Sequence, residues 1–153
     1  MPHYLVVDGH SVIFALADLL SLHRRRPVDA REELVRRLRR LHDMGSWEVT
    51  VVFDGQSGRQ GPAEKKTSGD LVVAYSKAGQ TADSVIEALV AGQTAKVREA
   101  ITVITADGGE RATVEGLGAY CLSPDWLEAE IRSVAADFEE EFRRARKRWQ
   151  KGS

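Results

Sequence analysis

The sequence predicts an α/β fold, a three-layer α/β/α sandwich around a mostly parallel sheet of four to five strands. Short runs of aliphatic and β-branched residues alternate along the chain with longer segments of helical periodicity. Three of the short runs end in an aspartate, at the point where open α/β sheets place their ligand-binding groups. This alternation implies right-handed crossovers, which put helices on both faces of the sheet.

The composition is that of a globular protein. The 153 residues are predicted to form one domain, residues 1–153, because a chain of this length can bury a stable core without disulfides or structural metal ions. One cysteine excludes an internal disulfide, and no apolar run reaches membrane-spanning length. The N-terminus enters a strand without a signal-peptide pattern, so we expect a cytoplasmic protein with no membrane partner.

The first part of the chain predicts one strand and two helices. Residues 4–8 form the strand, and the apolar segment 11–22 favours a helix that packs on the sheet. A basic segment ending in proline interrupts it. Asp29 and Glu32 form a capping-box-like start for the next helix, which Gly45 would end. Leucines at helical spacing support that second helix.

The middle of the chain predicts two strands, a loop and a helix. Residues 48–53 and 71–75 are strand-like. Between them, residues 55–69 are rich in Gly, Ser, Gln and Lys and lack apolar periodicity, which predicts a long loop of the kind that is usually functional. Thr81 is placed to cap a helix that extends to about Ala91.

The last part predicts two strands and two helices. Residues 101–105 form a strand, and the helix that follows ends at Gly116. Residues 119–122 form a short last strand. A serine cap, a proline and an acid at 123–125 then start a long C-terminal helix, at about 124–149.

Four aspartates are the candidate catalytic and metal-binding residues. Asp8, Asp54 and Asp107 follow three predicted strands, and Asp83 lies in the first turn of a predicted helix. Neighbouring strand ends lie roughly 5 Å apart, so carboxylates there repel one another unless a cation lies between them. Carboxylate oxygens are hard ligands, which favour Mg²⁺ or Mn²⁺ over zinc. One or two such ions are therefore expected.

Each of these residues also has a structural interpretation. An aspartate after a strand can cap a turn, and an acid in a first helical turn is favoured by the helix dipole. Four further residues are candidates for supporting the ligands from beside them: Ser11, Thr105, Glu87 and His10. The sequence contains no Walker, GxGxxG or GxSxG motif, so we expect neither an organic cofactor nor a serine nucleophile.

Basic residues are concentrated away from these carboxylates although the net charge is −1. This distribution suits a metal-dependent enzyme that acts on nucleic acid, although solvated helix faces look similar. The candidates for contacting the phosphates of a nucleic acid are Arg24, Arg25, Arg26, Lys65, Lys66, Arg143 and Arg144.

Five short motifs together resemble the NYN domain, and more narrowly its YacP-like branch of bacterial proteins. The resemblance covers roughly residues 3–135 and rests on the order and spacing of the motifs. They are Val-Asp-Gly-His-Ser at 7–11, Val-Val-Phe-Asp at 51–54, Glu-Lys-Lys at 64–66, and Thr-Ala-Asp at both 81–83 and 105–107.

The resemblance implies a fold of the PIN-like nucleases, which is Rossmann-like and similar to that of the flap endonucleases. It further implies a metal-dependent ribonuclease with the four aspartates in its acidic pocket, and cleavage of RNA associated with ribosomes. The family opening usually reads Asp-Gly-Tyr-Asn, whereas this chain has His10 and Ser11. An amide that would orient a ligand is therefore replaced by a hydroxyl.

Two other functions remain open on the sequence alone. A catalytically weak or inactive RNA- or ribosome-binding module of the same fold is motivated by His10 and Ser11. A metal-dependent phosphatase is the lesser alternative, since Asp8-Gly9-His10 lacks the second acid of an Asp-x-Asp motif. The sequence assigns no oligomeric state.

Overall fold

A six-stranded sheet forms the centre of the structure, a computed structural model that describes residues 2–44, 47–55, 65–68 and 71–152. The strands lie in the order β3-β4-β2-β1-β5-β6, and all are parallel except the edge strand β3, which is antiparallel to β4. The predicted, mostly parallel sheet is confirmed. The strands are β1 (His3–Asp8), β2 (Trp47–Phe53), β3 (Lys65–Ser68), β4 (Leu71–Tyr75), β5 (Ile101–Ile104) and β6 (Tyr120–Leu122).

Helices cover both faces of the sheet and complete three layers. Helices α1, α2, α3 and α7 contribute to the core on one face, and α4 and α6 to the core on the other. No helix in the described ranges is long and apolar enough to cross a membrane. The helices are α1 (Gly9–Ala15), α2 (Ala17–Arg25), α3 (Pro27–Met44), α4 (Ala82–Ala91), α5 (Ala95–Arg98), α6 (Gly108–Gly116) and α7 (Pro124–Lys151).

Strand β1 is buried on both faces, which explains its unbroken run of apolar residues. Leu5 and Val7 belong to the core under α1–α3, whereas Val6 belongs to the core under α4 and α6. Successive side chains of a strand point to opposite faces, so burial of all three requires a layer on each side. The sheet therefore holds the end of β1, and Asp8 with it, at the centre of its carboxyl edge.

The predictions for the first helices need two corrections. The apolar segment 11–22 forms two helices, because Leu16 adopts an extended conformation (φ −99°, ψ 119°) between α1 and α2. Helix α3 begins at Pro27, whose fixed φ suits a first helical position, so the predicted start at Asp29 is wrong. Asp29 lies in the first turn, and its carboxylate is 3.7 Å from the Arg26 guanidinium. The predicted stop at Gly45 lies outside the described residues.

The predicted loop at 55–69 contains a strand. The backbone of residues 65–68 forms β3 and pairs with Leu71–Tyr75, while residues 56–64 and 69–70 lie outside the described part. This lysine-rich edge strand carries no period-2 pattern of apolar residues, so no apolar signal indicated a strand here. The short helix α5 was also not predicted; Thr94 caps it by accepting a hydrogen bond from the Val97 N–H at 3.3 Å.

The predicted helix starts further along the chain are confirmed. Thr81 caps α4 by accepting a hydrogen bond from the Ser84 N–H at 3.1 Å. Ser123 caps α7 through the Trp126 N–H at 3.3 Å, with the following proline at the first helical position. Gly118, with φ +96°, follows the end of α6 in the left-handed region that favours glycine.

Candidate active site

The chain changes from one face of the sheet to the other between β1 and β5. Helix α1 leaves β1 on one face, and helix α6 leaves β5 on the opposite face, while the two strands pair directly. In open α/β sheets this reversal separates the helix starts and forms the usual ligand-binding position. The polar groups at the ends of β1 and β5 are therefore the first place to look for a site.

Three carboxylates meet at this position. Asp8 ends β1, Asp83 lies in the first turn of α4, and Glu110 lies in the first turn of α6. One oxygen from each carboxylate lies within 4.8 Å of one oxygen from each of the others. Asp8 is 6% exposed and Glu110 is 3% exposed, whereas Asp83 is partly exposed. We call these three residues the acidic trio.

The trio is electrostatically costly without a proton or a cation. Burial, followed by the hydrogen bond and negative charge of Asp8, raises the pKa of Glu110 to about 9. Burial is also the main cause that raises the pKa of Asp8, to about 6. Within the described ranges, no lysine or arginine forms an ion pair with these carboxylates. The site therefore favours binding of positive charge.

The two oxygens of Glu110 have different surroundings. The Thr105 hydroxyl donates to Glu110 Oε2 at 2.8 Å, while Oε1 is buried and accepts no hydrogen bond from an N–H or hydroxyl group of the described residues. The hydrogen bond between Glu110 and Asp8 requires a proton shared by the two carboxylates, and a cation could take the place of that proton. Glu110 was not among the sequence candidates. Its position three residues after Asp107, on the same helix face as the buried Val114, was the available signal.

Asp54 and Asp107 position the trio and lie outside it. Asp54 Oδ1 accepts a hydrogen bond from the Ala82 N–H at 2.8 Å, which holds the start of α4 and thus Asp83. Asp107 Oδ1 accepts from the N–H groups of Gly109 (2.8 Å) and Glu110 (3.0 Å). In both aspartates these hydrogen bonds involve Oδ1, and Oδ2 takes no part in them. Neither Asp54 nor Asp107 belongs to the acidic trio, so a ligand role for these two residues stays a prediction.

Ser11 and Thr105 connect the two helix starts. Ser11 Oγ accepts a hydrogen bond from the Ala106 N–H at 2.7 Å and therefore ties α1 to the end of β5. Thr105 Oγ1 accepts from the Asp107 N–H at 3.1 Å and donates its one proton to Glu110. Ser11 and Thr105, two of the four predicted supporting residues, therefore lie beside the trio. The Thr105 hydroxyl contacts the Glu110 carboxylate directly.

His10 and Glu87 lie further from the trio. His10 Nδ1 accepts a hydrogen bond from the Asp54 N–H at 3.3 Å, so its approach to Asp54 Oδ2 at 3.6 Å is not an ion pair. Burial lowers the pKa of His10, which keeps the ring neutral near pH 7. Its ring packs 5.6 Å from that of Phe53. Glu87 lies one turn after Asp83, is partly exposed and does not belong to the acidic trio.

The predicted RNA-contacting arginines are exposed. Arg24, Arg25 and Arg26 end α2, directly after His23, whose ring lies 6.2 Å from that of His10. This basic segment therefore begins beside the site edge. Arg143 and Arg144 lie in the exposed second half of α7, where both pair with Glu140. For the two lysines of β3, Lys65 and Lys66, the backbone path is described.

Known proteins are similar to this chain over nearly its whole length. The family model described as the YacP-like NYN domain matches residues 5–153. The protein YacP of Bacillus subtilis (strain 168) is 31% identical over 140 residues, which cover 92% of this chain and 81% of that protein. A crystal structure of Rae1 (YacP) from Bacillus subtilis has a TM-score of 0.79 at 28% identity, covering 97% of this chain and 84% of that chain. A mutant of that protein has a TM-score of 0.77 at 27% identity, covering 93% and 82%.

Proposed function

We propose, from the premise that this chain belongs to the YacP-like NYN domain family, that it is a Mg²⁺- or Mn²⁺-dependent ribonuclease. The reaction would be endonucleolytic hydrolysis of RNA phosphodiester bonds at the acidic trio. One observation carries the proposal: Asp8, Asp83 and Glu110 converge within 4.8 Å, and no N–H or hydroxyl group in the described ranges donates to the buried Glu110 Oε1. Family membership supports a nuclease, and the trio supports the metal.

The residues fit a hard divalent cation. The trio offers carboxylate oxygens without a thiolate or an imidazole among them, which is the donor set of Mg²⁺ and Mn²⁺. Asp8, Asp83 and Glu110 would hold one ion. A second ion would use the free Oδ2 atoms of Asp54 or Asp107 at the rim, as the sequence predicted. When bound, the metal stabilises charge on the phosphate and lowers the pKa of the attacking water.

The chain itself prepares the site for that cation. The proton that the raised pKa values keep on Glu110 near neutral pH must leave when a cation enters, so metal binding is coupled to proton release. Thr105 holds one oxygen of Glu110 through a hydrogen bond, and the other oxygen is buried without an N–H or hydroxyl donor from the described part of the chain. Asp54 and Asp107 hold the helix starts that carry Asp83 and Glu110. No side-chain nucleophile is required.

RNA is the substrate that the surrounding charge supports. Arg24–Arg26 begin beside the site edge and would contact backbone phosphates, with Lys65, Lys66, Arg143 and Arg144 further out. Binding through phosphates weakens steeply with salt, which gives a direct check of this contribution. We further propose that the working substrate is ribosome-associated mRNA, and that the protein acts in the cytoplasm.

A binding module of the same fold is the alternative function. Ser11 uses its hydroxyl oxygen on the Ala106 N–H, at the place where the family usually has an asparagine. A side chain engaged with the backbone does not orient a ligand at the trio. If that loss abolishes turnover, the protein would bind RNA or the ribosome without cleaving it.

The test is cleavage of a panel of single-stranded and structured RNAs in Mn²⁺, Mg²⁺ or EDTA. The wild type is compared with Asp8→Asn and Glu110→Gln, and with Glu115→Gln as a matched control on the exposed side of the same helix as Glu110. We expect metal-dependent cutting by the wild type and the control, and its loss in the two trio variants.

Three other outcomes decide against the proposal. RNA binding without cleavage by a folded wild type, also when ribosomes are added, would favour the binding module. Release of phosphate from small phosphate esters, with RNA left intact, would favour the phosphatase. Cleavage that survives in EDTA and in both trio variants would place the reaction elsewhere.

A further inference from the structure

The last helix carries an apolar seam that continues beyond the helices on which it packs. Apolar residues recur in α7 at spacings of three or four residues, which places them along one side of the helix. Ile131 and Val134 pack against the core under α1–α3, and the later members continue the same line. The seam comprises Ile131, Val134, Phe138, Phe142, Ala145 and Trp149.

The second half of the seam is exposed. Phe138 is 47% exposed, Phe142 is 61% exposed and Trp149 is 81% exposed. The reason is the length of α3, which ends at Met44, beside Val134 and Phe138. Residues 136–151 of α7 are exposed throughout, and they extend about 24 Å at the usual helical rise.

Two features make this segment unusual for a free surface. An unsupported helix of about this length is marginally stable in water, since most helical stability comes from packing an apolar face. A single exposed aromatic residue would need no explanation, but three on one seam form a contiguous apolar face, which marks an interaction site. We therefore expect the segment 136–151 to bind a partner.

The charges of the segment are divided into two blocks. Acidic residues precede Phe142 and basic residues follow it, with Phe142 between the blocks. If two identical helices pair antiparallel, the acids at 139–141 of each can lie along the bases at 146–148 of the other. Arg143 and Arg144 then lie at the two-fold axis, opposite Arg144 and Arg143 of the second copy. A parallel pair would instead set acid against acid and base against base. The acidic block is Asp137, Glu139, Glu140 and Glu141, and the basic block is Arg143, Arg144, Arg146, Lys147, Arg148 and Lys151.

We propose that the segment 136–151 pairs antiparallel with the same segment of a second copy of this chain. In the register that sets Phe142 opposite Ala145 of the second copy, Phe138 lies opposite Trp149. The same register sets the acids at 139–141 opposite the bases at 146–148. One two-fold axis generates all these pairs, as in most homodimers.

A second copy fits this segment better than RNA does. The acidic block lies on the same stretch of helix as the aromatic seam, and it would repel a phosphate backbone laid along that seam. The pairs of Glu140 with Arg143 and Arg144, within the helix, do not prevent the exchange, because exposed pairs of this kind contribute little. The inference does not depend on the proposed nuclease activity.

The first experiment measures mass in solution for the full chain. Sedimentation equilibrium should give a monomer–dimer equilibrium for the wild type, and Phe142→Glu should raise the dimer dissociation constant by at least about tenfold. Val28→Glu is the matched control, since it adds the same charge at a half-exposed apolar residue outside the seam. Far-ultraviolet circular dichroism checks that each variant is folded.

Charge reversal then tests the orientation. One variant carries Glu139→Lys, Glu140→Lys and Glu141→Lys, and another carries Arg146→Glu, Lys147→Glu and Arg148→Glu. Each variant should lose self-association. Mixing the two variants should produce a heterodimer, and one chain carrying both sets should dimerise again. Wild-type dimers should also weaken with salt, because the flanking pairs are exposed.

Three results would overturn the proposal. The wild type could stay monomeric at concentrations on the order of 200 μM. Phe142→Glu could leave the dimer unchanged, which would place the interface elsewhere. Finally, Phe142→Glu could weaken binding of a single-stranded RNA while the mass stays the same, which would make the segment an RNA-binding surface.

Discussion

The two strand–helix junctions that form the candidate site have the same local design and a different chemistry. Asp8 ends β1 and Asp107 follows shortly after β5, each caps the helix that follows, and each is followed three residues later by a polar side chain. At the first junction the buried carboxylate is the cap itself, Asp8. At the second junction the cap is exposed, and the buried carboxylate is Glu110.

The two capping carboxylates differ in the number and length of the hydrogen bonds that they accept. Asp107 Oδ1 accepts two hydrogen bonds, at 2.8 and 3.0 Å, so backbone N–H groups hold its charge. Asp8 Oδ1 accepts one from the Ser11 N–H at 3.4 Å, and burial raises its pKa. A capping motif therefore does not say whether its carboxylate belongs to the backbone or to the site. The neighbours in three dimensions decide that.

Substitution of the two acids on α6 should give the largest contrast. Glu110→Gln should lower the RNA cleavage rate more than about 100-fold, because it removes a buried trio oxygen to which no N–H or hydroxyl group of the described residues donates. Asp107→Asn keeps a good cap and should lower the rate about tenfold or less. Single-turnover rates in Mn²⁺ measure both. Equal losses would contradict the distinction between the two junctions.

Metal binding should separate the junctions in a second way. Mn²⁺ should raise the melting temperature of the wild type and of Asp107→Asn, because a ligand that binds the folded state stabilises it. At 100 times the dissociation constant the gain is about 2.7 kcal/mol. The same titration with Asp8→Asn should give a much smaller rise. Calorimetry with Mg²⁺ and Mn²⁺ provides the measurement, and an equal rise in Asp8→Asn would exclude that carboxylate as a ligand.

The pH dependence of the protein's stability should also arise from the acidic trio. Asp8 and Glu110 have raised pKa values, so between their ordinary values and their folded values the native protein binds more protons than the unfolded chain. In EDTA, the free energy of unfolding should therefore fall as pH rises through about 6 and towards about 9.

Urea denaturation at a series of pH values measures this dependence. Glu110→Gln should flatten the upper part of the curve, and saturating Mn²⁺ should reduce the fall in the wild type, because a cation compensates the ionised trio. A wild-type curve that rises between pH 6 and 9 in EDTA would contradict the electrostatic account of the site.

The smallest effect is expected from the hydroxyl that connects the junctions. Ser11→Ala removes the acceptor of the Ala106 N–H at 2.7 Å and should cost about 1 kcal/mol of stability. The cleavage rate should fall by no more than about tenfold, since Thr105 still holds Glu110. Chemical denaturation and single-turnover kinetics on the same preparation separate the two effects. A loss of cleavage as large as that of Glu110→Gln would make Ser11 part of the chemistry.

The sequence by itself determined the features that depend on local pattern. Alternating apolar runs and helical periodicity predicted the parallel strands, because the side-chain period of each element is visible within a few residues. The caps at Thr81 and Ser123 were also predictable, since a cap needs a particular side chain next to a helix start. Local pattern also singled out Asp8 and Asp83 as candidate ligands, which stays a prediction, although the structure places both in the acidic trio. The motifs indicated the family that the match over residues 5–153 shows.

Only the tertiary structure decided which acids meet. Glu110 joins Asp8 because α6 and α1 leave paired strands on opposite faces of the sheet, a contact between distant parts of the chain that no local pattern contains. Asp54 and Asp107 have the same sequence context as Asp8, but both are exposed, whereas Asp8 is buried beside Glu110. The physical reason is that burial and proximity set the charge of a carboxylate, and both arise from packing.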